Sequence, residues 1–358
     1  MRFLTAADVL ALVPMPDAIA AVRQACIELS AGRVAVPQRA RVPVGEAGVL
    51  LAMPGYLPAA GGLGAMLVTV FPRNPQQGLP TVFALVVLAD PHTGEPAALI
   101  EGTSLTALRT GAAGGLAADL LARRDAAIVA LFGAGVQGRT QLEALCAVRR
   151  ITQVRVVDRR PEHAEAFAAW ARAQPWLGGA TVIPVRDPAL AVRGAEVIVT
   201  ATTSATPVFP AAEVGPGVHI TAVGAFSPDA REVPGEVLAR AAIVVDSREA
   251  ALAEAGDLII PIREGLLGPE AIRAEIGEVA AGTAPGRTHP EEVTVFKSVG
   301  HAVQDLAVAA LALARAEAAG RGTVLEVEEL PGGHRVKNEF PAAIHSRDTT
   351  PGAGCQGR

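Results

Sequence analysis

The sequence predicts an α/β fold whose second half is built from parallel βαβ units. Short apolar runs occupy residues 125–133, 153–158, 195–204, 218–224 and 241–247, and helical or polar stretches separate them. Buried parallel strands are typically continuous apolar runs, and their sheet needs helices over both faces. The second observation is a glycine-rich turn directly after the first run. Together these features indicate a doubly wound domain that begins near residue 125.

The preceding part of the chain has a different pattern. Residues 1–31 predict two helices, the first capped by Thr5. Residues 33–100 are rich in Val, Pro and Gly and predict strands broken by turns. A helix is expected at 101–121, and a long Ala-rich helix at 298–320. The clearest strand segments are GVLLAMP at 48–54 and TVFALVVLAD at 81–90.

Composition excludes several functional classes. The chain has 358 residues, 19% of them charged, and a net charge of −5 with no basic block, so no nucleic-acid partner is expected. Three scattered cysteines predict neither a disulfide framework nor a metal site, which favours the cytoplasm. No secretory signal is recognised, and no run approaches the roughly 18 apolar residues of a membrane span. Residues 331–358 lack periodicity and predict a mobile tail.

The segment GAGVQG places Gly133, Gly135 and Gly138 in a G-x-G-x-x-G pattern between a predicted strand and a predicted helix. The first glycine permits the tight turn, the second lets the backbone approach a pyrophosphate, and the third lets the helix pack closely. Asp158 ends the next strand, where an acid can accept from the adenosine ribose hydroxyls. We therefore predict a Rossmann domain that binds a nicotinamide dinucleotide. The alternative is a glycine turn in an α/β protein that binds no nucleotide.

The choice between the two nicotinamide cofactors depends on the residues after this strand. Asp158 favours NAD, whereas Arg159 could pair with the 2′-phosphate of NADP, so dual use stays open. Arg160 is expected in a solvated loop. The other residues predicted to contact the cofactor are Val136, Gln137, Thr200, Thr202 and Val223.

Eight segments together are specific for one known family. They are LTAADVLALVPMPDAIAAV near the start, GVLLAMPGY, LVTVFPRN, SLTALRTGAA, LFGAGVQGRTQLEAL, VTATTSATPVF, VGAFSPDAREV and FKSVGHAVQDLA. On these segments, residues 1 to about 325 resemble the ornithine cyclodeaminase/μ-crystallin family. Its members include ornithine cyclodeaminases, alanine and opine-type dehydrogenases, and ketimine reductases that act on cyclic imino acids.

The resemblance implies a particular domain arrangement. Residues 1–120 and 313–330 would form an α+β substrate-binding and dimerisation domain, and the Rossmann domain, residues 121–312, would be inserted into it. The resemblance also implies a homodimer that is joined through the sheets of the substrate domain.

The resemblance also implies substrate contacts. The family exchanges hydride at a carbon that bears nitrogen and a carboxylate, and Arg41 and Arg109 match its carboxylate-binding arginines. Arginine suits bidentate capture of a carboxylate. Thr81 matches a threonine that the family often places beside the substrate. Without the resemblance, Arg41 could as well form a salt bridge and Thr81 could be a strand hydroxyl.

Three departures from the family pattern remove charge. Phe226 stands where cyclodeaminases have an aspartate, Leu51 where they have a glutamate, and Met66 where the family usually has a lysine. A diamino acid would bury a second ammonium group without a partner, which is costly. The predicted site therefore suits a compact, less polar imino acid better than ornithine.

The absence of the lysine leaves the proton donor open. An imine with a pKa near neutrality can arrive protonated, so an enzymic acid is helpful without being obligatory. His301 lies at the turn into the last long helix, in a loop that the resemblance places near the nicotinamide, and histidine can donate near neutral pH. A histidine at an interface or in solvent is the alternative. We assign catalysis to Arg109 and His301.

These observations favour an NAD(P)H-dependent reductase of cyclic imino acids of the Δ1-pyrroline-2-carboxylate type. One alternative is an ornithine cyclodeaminase or amino acid dehydrogenase with a repositioned acid. The other is a nucleotide-binding protein without turnover, which the loss of the lysine makes a real candidate.

Overall fold

Two β-sheets organise residues 1–326, the part of the chain that the computed structural model describes. The predicted tail at 331–358 lies outside this range. The strands are β1 (Arg2–Leu4), β2 (Ala40–Val44), β3 (Gly48–Leu57), β4 (Gly62–Val70), β5 (Val82–Ala89), β6 (Pro96–Glu101), β7 (Ile128–Phe132), β8 (Gln153–Val157), β9 (Thr181–Pro184), β10 (Val197–Thr200), β11 (His219–Ala222), β12 (Ala242–Val245), β13 (Ile272–Glu275), β14 (Thr294–Lys297) and β15 (Thr323–Val324).

Helices connect and cover these strands. They are α1 (Ala6–Leu12), α2 (Met15–Ser30), α3 (Gly102–Leu121), α4 (Val136–Val148), α5 (Pro161–Arg172), α6 (Pro188–Val192), α7 (Gly235–Leu238), α8 (Arg248–Glu254), α9 (Gly256–Arg263), α10 (Ile276–Ala281) and α11 (Ala302–Ala318). Short 3₁₀ turns occupy Pro58–Ala60, Asn74–Gln77, Pro175–Leu177, Ala211–Glu213 and Pro269–Ala271. No single helix within 1–326 has the length and apolar composition to cross a membrane, and α1 and α2 reach it only as a pair bent by 86°.

The second sheet confirms the predicted doubly wound α/β fold. Its eight strands are parallel and run in the order β13-β12-β14-β11-β10-β7-β8-β9. The order reverses between β7 and β10. In open α/β sheets, ligands bind outside the carboxyl ends of the strands at such a reversal. The loops after β7 and β10 therefore mark the predicted nucleotide site.

The first sheet is mixed and brings both ends of the described chain together. Its order is β15-β1-β6-β5-β4-β3-β2, and β1 pairs with β15 on one side and with β6 on the other. The sequence did not predict β1, a strand of three residues, although the Thr5–Asp8 capping box that starts α1 is present as expected. The returning C-terminal segment agrees with a domain inserted into this sheet.

Helix α11 determines where the inserted segment ends. The helix packs against α2, β3 and β4, and its Leu306, Ala309 and Ala312 belong to the core cluster of the first sheet. The predicted boundary between residues 312 and 313 therefore falls inside a helix that packs as one unit. We place the boundary before α11, and the division into two domains stays a prediction.

Helix α3 joins the two sheets through buried polar contacts. Gln141 of α4 donates to the carbonyl oxygen of Thr110 at 2.8 Å. At the other end of α3, the Arg149 guanidinium donates to the carbonyl oxygens of Ala118, Asp119 and Ala122 at 2.9–3.1 Å. The last carbonyls of a helix have no partner within the helix, so a buried cation that binds them caps the helix. Arg149 thus fixes the end of α3 against α4.

We predict that Arg149→Met lowers the free energy of unfolding by about 3 kcal/mol, because buried carbonyls lose charged donors. The neighbouring Arg150→Met, which changes an exposed side chain, is the matched control and is expected to stay within about 0.5 kcal/mol of the parent. Urea unfolding followed by circular dichroism measures both. Equal stability of the two variants would contradict the capping role.

Candidate functional site

The glycine-rich turn after β7 is shaped by close backbone contacts. Gly133 has φ +100°, and a Cβ there would lie 2.4 Å from the carbonyl oxygen of Ala201. A Cβ on Gly138 would lie 2.1 Å from the Gly133 carbonyl oxygen. The fold itself therefore requires both glycines. A Cβ on Gly135 would meet nothing within 4 Å, so the space beyond this residue is open to a ligand.

The N-terminus of α4 opens onto this same space. Gly135 is its N-cap, and no side chain accepts from the first-turn N–H groups as a cap. Val136 is exposed, and the Oε1 atom of Gln137 is buried with no hydrogen-bond partner among the described residues. Free amides at a helix N-terminus favour a phosphate group. These residues fit a dinucleotide pyrophosphate.

Asp158 lies beside the glycine turn, directly after β8. Its Oδ2 accepts from the Ala134 amide at 2.9 Å, and its Oδ1 accepts from the Arg160 amide at 3.0 Å. Its side chain is 18% exposed, whereas Arg159 and Arg160 are exposed. The carboxylate therefore lies at the edge of the predicted adenosine site, and its preference for one cofactor stays a prediction.

Thr200, Thr202 and Val223 lie at the carboxyl ends of β10 and β11, and the two threonines contact Glu232, a residue that the sequence did not single out. The Thr200 hydroxyl donates to Glu232 at 3.0 Å, and the Thr202 hydroxyl donates to it at 2.7 Å. Val223 only donates its amide to the Thr200 carbonyl. The two hydroxyl protons are therefore committed to Glu232, and any cofactor contact must use other atoms. Glu232 lies within the recognised segment VGAFSPDAREV, but an isolated acid there gave no separate signal.

Arg109, the predicted carboxylate-binding residue, is buried and already has partners. Its Nε lies 2.8 Å from Asp305 Oδ1, and its Nη1 donates to Gln304 Oε1 at 3.0 Å. Both partners belong to α11. A Cβ on Gly300, which has φ +79°, would lie 2.4 Å from Arg109 Nη1, so the loop before α11 can pass here only as glycine. The guanidinium is fixed in place, and its Nη2 has no bond to a described residue.

The second predicted arginine, Arg41, has another arginine two positions before it. Arg41 is exposed on β2, while Arg39 is largely buried and lies 3.1 Å from Glu254 Oε1. Arg39 also donates to the Gly300 carbonyl oxygen at 2.6 Å. Gly300 is the same residue that lies against the Arg109 guanidinium. Burial lowers the pKa of Arg39 and raises that of Glu254. Arg39 and Arg109 therefore meet the same glycine loop, and the assignment of Arg41 to the substrate carboxylate stays a prediction.

The predicted apolar residues are only partly brought together. Leu51 and Met66 are buried on the inner face of the first sheet, and the Thr106 hydroxyl contacts the Met66 sulfur at 3.8 Å. Thr81 is half-buried just before β5. Phe226 lies in the loop after β11 and is 40% exposed. Two of the three charge-removing departures thus belong to the core beneath α3, and the third lies on a surface loop.

His301 is the N-cap residue of α11 and lines a pocket with Arg39, Met53, Ser247 and Glu254. Its Nδ1 is buried without a partner among the described residues, as is Glu254 Oε2. Burial lowers the pKa of His301 below its ordinary value, and Asp246 opposes this shift. A neutral imidazole is a weaker acid than the predicted proton donor requires.

Known proteins resemble the chain over nearly its whole length. It is 42% identical over 317 residues to a Δ1-pyrroline-2-carboxylate reductase of Bacillus cereus, which covers 88% of this chain and 96% of that protein. The structure of the Thermococcus litoralis Δ1-pyrroline-2-carboxylate reductase with NADH and L-proline matches with a TM-score of 0.87 and 40% identity, covering 91% of this chain and 100% of that one. An archaeal alanine dehydrogenase dimer with bound NAD matches with a TM-score of 0.85 and 37% identity, covering 91% and 99%.

A match to a family model agrees with these similarities. The sequence model of the ornithine cyclodeaminase/mu-crystallin family matches residues 1–320, which include both sheets except β15. The second sheet and its helices form a Rossmann-like fold, which the similar NAD-binding enzymes share. The chain belongs to the ornithine cyclodeaminase/mu-crystallin family.

Proposed function

We propose that this protein is an NAD(P)H-dependent reductase of cyclic imino acids, with Δ1-pyrroline-2-carboxylate as the first substrate to test. The observation that carries the proposal is the likeness to the Thermococcus litoralis reductase, whose structure holds NADH and L-proline and matches over 91% of this chain. The Bacillus cereus reductase supports it independently by sequence. L-Proline is the product of adding hydride and a proton to this imine.

Arg109 and Arg39 are proposed to hold the substrate carboxylate. Arg109 is buried and Arg39 is largely buried, and both contact the loop that ends at Gly300. Asp305 and Glu254 hold the two guanidinium groups in orientation, and Arg109 keeps Nη2 free of bonds to the described residues. A fixed guanidinium aligns the carbon of the substrate for hydride transfer because it costs no reorganisation.

The residues that replace the cyclodeaminase acids favour an imine over a diamino acid. Leu51 and Met66 are buried in the core of the first sheet, and neither can accept from a second ammonium group. Burying that ammonium without a partner would be costly, whereas a five-membered imino acid brings no such group. Loss of acidic side chains thus supports a reductase rather than an ornithine cyclodeaminase.

NADH would supply the hydride, and the chain would bind and orient it. The turn at Gly133–Gly138 and the N-terminus of α4 would take the pyrophosphate, and Asp158 the adenosine ribose. Burial lowers the pKa of His301, so we propose that it donates a hydrogen bond rather than acting as the main acid. An imine that arrives protonated needs no stronger donor.

Consumption of NADH with Δ1-pyrroline-2-carboxylate, with proline identified by NMR, tests this proposal. Pyruvate with ammonia is the comparison substrate, because the chain also resembles an alanine dehydrogenase. Ammonia release from ornithine is assayed in parallel. A preference for either comparison reaction would overturn the proposal, and no turnover with any substrate would favour a binding protein.

The outer face of the first sheet supports a homodimer. Leu67, Phe83, Leu85 and Val87 lie on adjacent strands β4 and β5 and are each more than a third exposed. Contiguous exposed apolar surface of this kind marks an interface. The similar archaeal alanine dehydrogenase is a dimer. We propose that two copies of this chain join through this face, and that the enzyme works in the cytoplasm, where its free cysteines Cys26 and Cys146 would stay reduced.

Leu85→Asp is expected to give a monomer at micromolar concentration, because it would bury an unpaired carboxylate in the interface. Leu190→Asp, which changes an exposed leucine of α6, is the control and is expected to stay dimeric. Light scattering measures the mass of each. A monomeric parent protein, or a dimeric Leu85→Asp variant, would contradict the proposed interface.

Asp158→Ser is expected to narrow or reverse a preference for NADH, because the carboxylate repels the 2′-phosphate of NADPH. Asp125→Ser removes the same charge at an exposed position and is expected to leave the preference unchanged. Dissociation constants of both cofactors follow from fluorescence titration. A parent protein that prefers NADPH by tenfold or more, about 1.4 kcal/mol, would mean that Arg159 or Arg160 dominates.

Arg109→Ala and Arg39→Ala are each expected to lower kcat/KM for the imino acid by about a hundredfold or more, because the carboxylate loses its anchor. NADH binding is expected to persist in both variants. Arg41→Ala is the matched control, since Arg41 is exposed on β2, and its activity is expected to stay within about threefold of the parent. If Arg41→Ala fails and Arg39→Ala does not, the sequence-based assignment is right and this one is wrong.

A further inference from the structure

Lysine is almost absent from this chain. Of its 31 Lys and Arg residues, only Lys297 and Lys337 are lysines. Lys297 ends β14 and is fully buried. Its Nζ lies 2.8 Å from Asp257 Oδ2 and also donates to the Ala225 carbonyl oxygen. A compact ammonium fits such a site, whereas a planar guanidinium is wider and needs partners for five N–H groups.

Lys297 is one of three buried charges that contact the same stretch of backbone. Asp257, in the first turn of α9, accepts from the amides of Glu232 and Val233 at 2.6 and 2.9 Å. The Glu232 carboxylate is fully buried and accepts five hydrogen bonds. We call Glu232, Asp257 and Lys297 the buried charge cluster.

The cluster closes the loop from residue 223 to residue 231 at both ends. At the start, the amides of Gly224 and Ala225 donate to Glu232 at 2.8 and 3.1 Å. At the end, Asp257 holds the backbone of Glu232 and Val233. Phe226 lies between these anchored ends.

Helix α9 supports the back of the same loop. The Gly256 amide donates to the Ser227 carbonyl oxygen at 3.1 Å. A Cβ on Gly256 would lie 2.2 Å from the Ala230 carbonyl oxygen and 2.7 Å from that of Ser227. The loop therefore lies directly on the start of α9, and only glycine allows this approach.

The buried charge cluster also connects the loop after β11 to the loop after β10. The Thr202 amide and hydroxyl donate to Glu232 Oε1 at 2.6 and 2.7 Å, and the Thr200 hydroxyl donates to Oε2. The loops after β10 and β11 are thus joined through one carboxylate. Both loops lie at the carboxyl ends of the strands, the edge of the sheet at which the nicotinamide is expected.

We propose that the buried charge cluster positions these two loops so that Phe226 and the loop backbone face the substrate and nicotinamide. Its members are positioning residues that act through the backbone they hold. The inference rests on the proposed function for the identity of the substrate. The positioning itself does not depend on that identity, because it concerns backbone amides that are held without any ligand.

Glu232→Gln is the sharpest test. The NH₂ group of the new glutamine must face at least one of the N–H donors from which the carboxylate accepts a hydrogen bond. The matched control is Glu196→Gln. Glu196 precedes β10 at the opposite edge of the same sheet, where it accepts from the amides of Ala127 and Ile128 at 2.7 and 3.1 Å and pairs with Arg123. Both changes remove one charge from a carboxylate that binds backbone.

Hydrogen exchange of the protein without ligands is the first readout. In Glu232→Gln, the amides of residues 200–204 and 223–233 are expected to exchange about tenfold faster or more, with the rest of the chain unchanged. In Glu196→Gln these amides are expected to keep the parent rate. Unchanged exchange in both loops, or an increase spread evenly over the chain, would overturn the proposal. This readout stands even if the protein fails to reduce the imine.

Kinetics with the substrate that the parent protein reduces is the second readout. Glu232→Gln is expected to lower kcat/KM about a hundredfold, because the loops that face the substrate and the nicotinamide are misplaced. NADH affinity is expected to fall by about tenfold or less, because the glycine-rich turn and Asp158 are not held by Glu232. Lys297→Arg keeps the charge and is expected to show the same pattern. If Glu232→Gln does not fold, Gly256→Ala displaces the loop without changing a charge and is measured in its place. Faster loop exchange with unchanged kcat/KM would refute a positioning role.

Discussion

The ion pair between Arg109 and Asp305 is the constraint on which the site depends. It joins α3 to α11, and the Gly300 loop crosses over the guanidinium so closely that only glycine fits. Asp246 holds that loop through the amides of Val299 and Gly300 at 3.0 and 2.8 Å. The position of one arginine on α3 therefore fixes the start of α11 and the loop that follows β14.

Burial makes these charges mutually dependent. Burial raises the pKa of Asp305, and Arg109 opposes the shift, while burial lowers the pKa of Arg39 and Glu254 opposes that shift. Removing one member of a buried pair leaves its partner uncompensated, which costs more than the pair contributes. The same principle applies to Glu232, Asp257 and Lys297. The site thus holds its charges in fixed pairs, and Arg109 Nη2, which has no bond to a described residue, can still donate to a small anionic imine.

Local patterns predicted the parallel sheet, the glycine-rich turn, the capped first helix and the position of Asp158. These local patterns could not predict tertiary contacts. Arg39 and Arg41 have similar neighbours in sequence, and only the packing of the chain before β2 separates a buried arginine from an exposed one. The roles of Glu232 and Lys297 likewise depend on contacts with residues far apart in sequence. The predicted boundary at residue 312 falls inside α11, because the sequence shows no glycine or proline within that helix to mark a break, and the domain division stays a prediction.

A crystal structure with NADH and L-proline would show which groups hold the substrate carboxylate. We expect that carboxylate within about 3 Å of nitrogen atoms of Arg109 and Arg39. We also expect the proline carbon that bears the carboxylate to face the nicotinamide. A carboxylate bound by Arg41, or proline bound away from both buried arginines, would contradict this expectation.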